Sequence, residues 1–152
     1  MRSTEPRSEL LPHAAPANPY RRLLLFAVRQ MAAEGIADAH AAHALFTGFG
    51  RGYRRPLILL RALMAELSRV SAARLKIAPC CCARMTRDEA MLLDLIAEAP
   101  SRPGEVHAAM RDLLHVRSCL GAVGSAEALA NAFADLGMPL DDCRNCNQDG
   151  TF

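Results

Sequence analysis

The sequence predicts an all-α fold, a single-domain helical bundle, on three observations. Apolar residues recur at helical spacing along most of the chain. Capping residues and glycine or proline stops punctuate those runs, and no alternating apolar and polar run marks a strand. The chain has 152 residues, of which 51% are hydrophobic and 22% charged, which is enough apolar material for one core and unlike a disordered chain. About six helices are expected. They occupy 18–138, between an irregular N-terminal arm over 1–17 and a polar, cysteine-containing tail over 139–152.

Taken in order, Pro6, Pro12 and Pro16 keep the arm irregular. Asn18-Pro19 supplies an N-cap and a proline for the first helical turn. Tyr20, Leu23, Leu24, Ala27, Val28 and Met31 then follow on one stripe up to Gly35. Asp38 caps a second helix through Phe49, with Leu45, Phe46 and Phe49 as its apolar residues, and the glycines of "GFGRGYRRP" (48–56) break it. Pro56 opens the longest helix, expected to reach about Lys76, with Leu60, Leu63, Met64, Leu67, Val70 and Leu75 along a wide stripe. "TRDE" is a capping box, Thr86 with Glu89 three residues on, ahead of Met91, Leu92, Leu95 and Ile96. Pro100 and Pro103 separate that helix from another over about 104–120. Ser125 caps the last helix, bearing Leu129, Phe133 and Leu136 and stopped at "LGMP". The expected core comprises Leu24, Leu60, Met64, Leu67, Leu92, Leu95, Leu113 and Phe133.

Charge is unevenly placed. Residues 1–87 carry 14 basic and 5 acidic side chains, and residues 88–152 carry 4 and 11. The two halves attract one another, within the chain or across a homodimer, or else the basic half meets an anionic partner. Lysine is nearly absent while alanine and arginine are both abundant, a compositional bias that discounts the arginines as a nucleic-acid signal. A nucleic-acid-binding regulator using the basic half is therefore a second alternative and not the favoured one.

The chemically distinctive feature is cysteine. Cys80, Cys81 and Cys82 lie between Pro79 and the capping box, and "CRNC" puts Cys143 and Cys146 in the tail. Two intervening residues let a pair of thiolates converge on one tetrahedral ion. In an extended segment Cys80 and Cys82 share a side and could supply the second pair, with Cys81 turned inward. The expected site is thus structural Zn²⁺ on Cys80, Cys82, Cys143 and Cys146, with an iron–sulfur cluster as the alternative occupant. The same Cys143/Cys146 dithiol could instead work in thiol redox chemistry, and burial of the triplet as small hydrophobes is the plain alternative.

Other candidates are weaker. His115 and Cys119 stand at i and i+4, one helical face, and could donate to one ion; a histidine beside a core cysteine accounts for them as well. His107 lies on the same stripe, while His40 and His43 have no partner set. "GFGRGYRRP" offers glycine amides and Arg51, Arg54 and Arg55 to a phosphate, but it matches no established phosphate loop and reads as a turn. No acid/base or nucleophile arrangement stands out, which favours a binding or regulatory module over a catalyst. The apolar run Leu23–Val28 is too short for a signal or a membrane span. A cytoplasmic protein with reduced thiols is expected.

The segments "RRPLILLRALMAELSRV", "APCCCARMTRDEAMLL" and "VRSCLGAVGSAEALANAF" together resemble a small bacterial family of helical proteins of unknown function, over roughly residues 20–140. That family carries no assigned activity or site, so the resemblance implies a helical fold and no functional residues. The tail lies beyond it.

Overall fold

The computed structural model describes residues 11–141. Helix α1 spans Pro19–Glu34, α2 Ala39–Phe49, α3 Arg54–Val70, α4 Arg87–Glu98, α5 Pro103–Leu114 and α6 Leu120–Asp135. A 3-10 turn, Gly50–Tyr53, joins α2 to α3 without an intervening loop. The expected break at "GFGRGYRRP" is therefore a bend. Counted as uninterrupted runs, the described residues hold five helices rather than six. Gly50 makes the bend possible: its φ of 62° lies where a side chain would be strained. A two-residue antiparallel ribbon, β1 (His13–Ala14) with β2 (Arg84–Met85), was not expected and ties the arm to the segment before α4.

The caps act as the residues dictate. Asn18 Oδ1 accepts from the Tyr20 amide at 2.8 Å, Asp38 Oδ2 from Ala41 at 2.8 Å, and Thr86 with Glu89 forms the reciprocal box. Three boundaries differ from expectation. Helix α3 stops at Val70, not near Lys76, because the amides of Ala72 and Ala73 bond to the carbonyl of Leu114 at 3.0 and 3.3 Å. Helix α5 stops at Leu114, where His115 adopts the left-handed conformation. Helix α6 begins at Leu120, ahead of Ser125.

The most extensive interface joins α3 to α6, and α6 also packs on α4 and α5. Phe133, Leu129, Leu60 and Leu63 are fully buried there, and Phe133 takes Phe49 edge-on at 4.7 Å. Seven of the eight expected core residues are buried; Leu113 is only half-buried, and Leu114 beside it is fully enclosed. Phe46 is half exposed and stacks on Tyr53 instead of entering the core.

Packing continues past the expected boundary at 138. Leu140 is buried, and its carbonyl accepts from Arg21 Nε at 2.6 Å. The charged halves meet within the chain: Arg21 pairs with Asp94, Arg29 with Glu89 and Arg55 with Asp135. No helix among the described residues is long and apolar enough to cross a membrane.

Candidate functional site: a cysteine turn on a buried ion pair

Between α3 and α4 the chain runs without helix from Ser71 to Ala83, where no apolar stripe is long enough to hold it against the bundle. A buried ion pair holds it. Arg29 sits on the inner face of α1 among Leu25, Val28 and Met31, 5% exposed, and Glu89 is the third residue of α4, 1% exposed. Glu89 Oε1 accepts from Arg29 Nε at 2.8 Å and from the Ala78 amide at 2.9 Å. Its Oε2 accepts from Arg29 Nη2 and from the Thr86 amide, both at 2.9 Å. Arg29 Nη1 and Nη2 also donate to the carbonyls of Cys82 and Arg84, each at 2.8 Å.

A buried ion pair recovers its desolvation cost only when its remaining hydrogen-bonding positions are filled. Here both carboxylate oxygens accept twice, and among the described residues no buried side-chain nitrogen or oxygen lacks a partner. The hydrogen bond to Glu89 raises the Arg29 pKa further above its ordinary value, against the opposing effect of burial. Two neighbours extend the clamp. Thr86 Oγ1 donates to the Lys76 carbonyl at 2.6 Å, and Asp88 Oδ2 accepts from the Lys76 amide at 2.8 Å.

The clamp presents the triplet. The Cys82 amide bonds to the Pro79 carbonyl at 3.1 Å, closing a β-turn with Cys80 and Cys81 at its two corners. Cys80 and Cys81 are exposed and Cys82 is half-buried. Two sequence expectations change. The segment is a turn rather than extended, so alternation does not govern which thiols share a side; and Cys81 faces solvent instead of the interior. Arg29 is tied to the turn through the Cys82 carbonyl, which accepts from its Nη1 at 2.8 Å. Burial pushes the Cys80 thiol up, opposed by the Arg29 charge and a hydrogen bond with the Gln30 side chain.

Cys143 and Cys146 lie outside the described residues. Among the described residues no three of His, Cys, Asp and Glu come together in a group that could hold a metal, so Cys80 and Cys82 stand as at most part of a ligand set.

His115 and Cys119 do not share a helical face. His115 is the exposed end of α5, and Cys119 is the buried residue preceding α6, 3% exposed. The helix break between them removes the i, i+4 geometry. Cys119 meets His107 instead: its amide donates to His107 Nε2 at 3.3 Å, and its thiol faces the His107 carbonyl at 3.8 Å. Burial raises the Cys119 thiol pKa, against the Arg111 charge. His40 and His43 are exposed. The glycine-rich segment builds no phosphate cradle, because its amides belong to the 3-10 turn, Gly52 packs against Leu136 and Arg55 pairs with Asp135.

Sequence reasoning saw Glu89 only as a capping residue and passed over Arg29. The signal was present: an arginine inside the apolar stripe of α1 requires a buried acid or carbonyl partner.

The sequence model of the family of unknown function DUF6628 matches residues 4–138, and the chain belongs to that family. No curated protein and no solved structure matches it. The matched span contains the clamp and the triplet and ends before Cys143 and Cys146.

Proposed function

We propose that this member of the family is a non-catalytic binding or regulatory module that displays a thiolate metal site on a preorganised turn. One observation carries the reading. Cys80 and Cys82 belong to a turn whose backbone is bonded to a buried ion pair, Arg29 donating to the Cys82 carbonyl and Glu89 accepting from the Ala78 amide. A backbone held in advance lowers the ordering cost of ligation.

In this reading Cys80 and Cys82 take one Zn²⁺ together with Cys143 and Cys146. Leu140, three residues before Cys143, is buried in the core. A four-thiolate shell leaves no position for water, so the ion serves structure and not Lewis-acid chemistry.

Metal analysis of untagged protein tests it. About one zinc per chain is expected for a closed tetrahedral site, lost in both Cys80→Ser and Cys146→Ser while Cys81→Ser retains it. Iron with visible absorbance would replace zinc by a cluster on the same ligands. Metal-free protein whose unfolding midpoint is unmoved by a chelator would overturn the site.

A further inference from the structure

Beside the 71–77 segment lies a cleft of about 510 Å³, bounded by α1 and α3. Its floor is Val28, Met31, Met64, Leu67 and Leu92, all buried. The strap alternates: Leu75 and Ile77 are half-buried against the core, while Arg74 and Lys76 are exposed. The strap is fixed at both ends, by Ala72 and Ala73 on the Leu114 carbonyl and by Lys76 and Ala78 on Asp88 and Glu89. It therefore forms a fixed wall of the cleft.

The lining identifies the occupant's chemistry. Among the described residues it includes no aromatic ring on which a base or sugar could stack and no carboxylate to attract a cation, and its uncharged polar side chains are Ser68 and Ser71. Its single charged side chain is Arg74, which makes no hydrogen bond or ion pair among the described residues. At the edge formed by Ile36, a second cation is held in place, since Arg61 Nε donates to the Ile36 carbonyl at 2.9 Å. The volume lies in the range of small-molecule pockets, about 300–1,000 Å³. Two methionines in the floor suit a flexible aliphatic chain, because their unbranched side chains adapt to its shape.

We infer that this cleft binds a single-chain anionic amphiphile, a fatty-acid carboxylate, with its acyl chain along the Met31–Met64 floor and its carboxylate on Arg74. An apolar floor with one cation at the rim, without a partner among the described residues, complements a ligand that is apolar along its length and anionic at one end. A guanidinium engages a carboxylate with two parallel bonds, which fixes the direction of entry.

Titration calorimetry of the full chain tests the inference, with dodecanoate below its micelle-forming concentration, beside dodecanol and dodecyltrimethylammonium. Dodecanoate is expected to bind at one site, dodecanol more weakly, and the cationic chain not at all. Arg74→Gln should weaken dodecanoate by about tenfold or more, the loss of a charge-assisted contact. Ala32→Trp, at an exposed lining position of α1, should block the cleft and abolish binding. Arg74→Gln removes only an exposed side chain, so it keeps the test decisive should the tryptophan disturb α1. The inference fails if dodecanoate gives no binding heat, if dodecanol and dodecanoate bind alike and Arg74→Gln changes neither, or if the chain self-associates through this cleft and excludes the probe.

Discussion

Along the α3–α6 seam the buried side chains, Leu60, Leu63, Leu129 and Phe133, carry no polar atom. Around the cysteine turn, a guanidinium and a carboxylate do the holding, each bonded to backbone groups. The seam rests on apolar burial, which is non-directional and spread over many contacts. The clamp rests on a few directional bonds in a dry place, where losing one partner leaves the other charged and alone. The difference follows from what each region must do. Two helices can share a stripe, but a non-helical segment exposes amides and carbonyls that only polar groups can satisfy.

The sharpest way to break the comparison is Glu89→Ala. It leaves Arg29 buried without a counter-charge and should cost about 3–5 kcal/mol in urea unfolding. It should also speed thiol labelling of Cys82, whose carbonyl is held by Arg29. If Arg29→Met with Glu89→Leu restored full stability, the ion pair would be dispensable; the double variant should stay below wild type, because the Ala78 and Thr86 amides and the Cys82 and Arg84 carbonyls lose their partners.

On the seam, Leu60→Ala should cost about 2–5 kcal/mol through lost burial and a cavity. In native conditions it should leave the order of thiol labelling as in wild type: Cys81 fast, Cys119 protected. A change in that order would show the two regions to be coupled.

Thr86→Ala is smaller, about 0.5–2 kcal/mol for loss of a helix cap. It removes the Lys76 carbonyl's partner as well, so its cost belongs at the upper end of that range. A value indistinguishable from zero would remove the capping box from the clamp.

The smallest effect concerns Asp38. The Ala41 amide bond, and secondarily His40, hold its carboxyl below the ordinary carboxylate pKa. A depressed folded-state pKa contributes stability that is complete above the unfolded value and lost as pH falls through the folded one. Asp38→Asn keeps a capping oxygen, so it should match wild type at neutral pH and lose less stability than wild type in acid. Parallel acid-unfolding curves for the two proteins would show that Asp38 does not contribute to the pH dependence.

Much of the architecture was legible because it depends on neighbours in sequence. Asn18-Pro19, Asp38, Thr86 with Glu89, and the stop at Gly137 act within a turn of their own positions, and the apolar stripes that bury Leu24, Leu92 and Phe133 repeat locally. The ends of α3 and α5 were not legible in the same way. Val70 ends its helix because the Leu114 carbonyl captures the following amides, a contact between residues more than forty positions apart. The early start of α6 belongs to the same class, since His107 receives the Cys119 amide from another helix.

The candidate site divides similarly. Residue type and spacing alone drew attention to Cys80, Cys81 and Cys82, and composition alone showed a core without tryptophan and a chain of oppositely charged halves. Only the tertiary structure decided that the triplet is a solvent-facing turn, that Cys81 points outward, that His115 and Cys119 part company, and that Arg29 and Glu89, sixty residues apart, meet beneath the turn. Helical period and capping are short-range properties, written in each few residues of chain. The partner of a buried charge is whichever opposite group the packed helices bring within about 3 Å, and that meeting exists only once the bundle has closed.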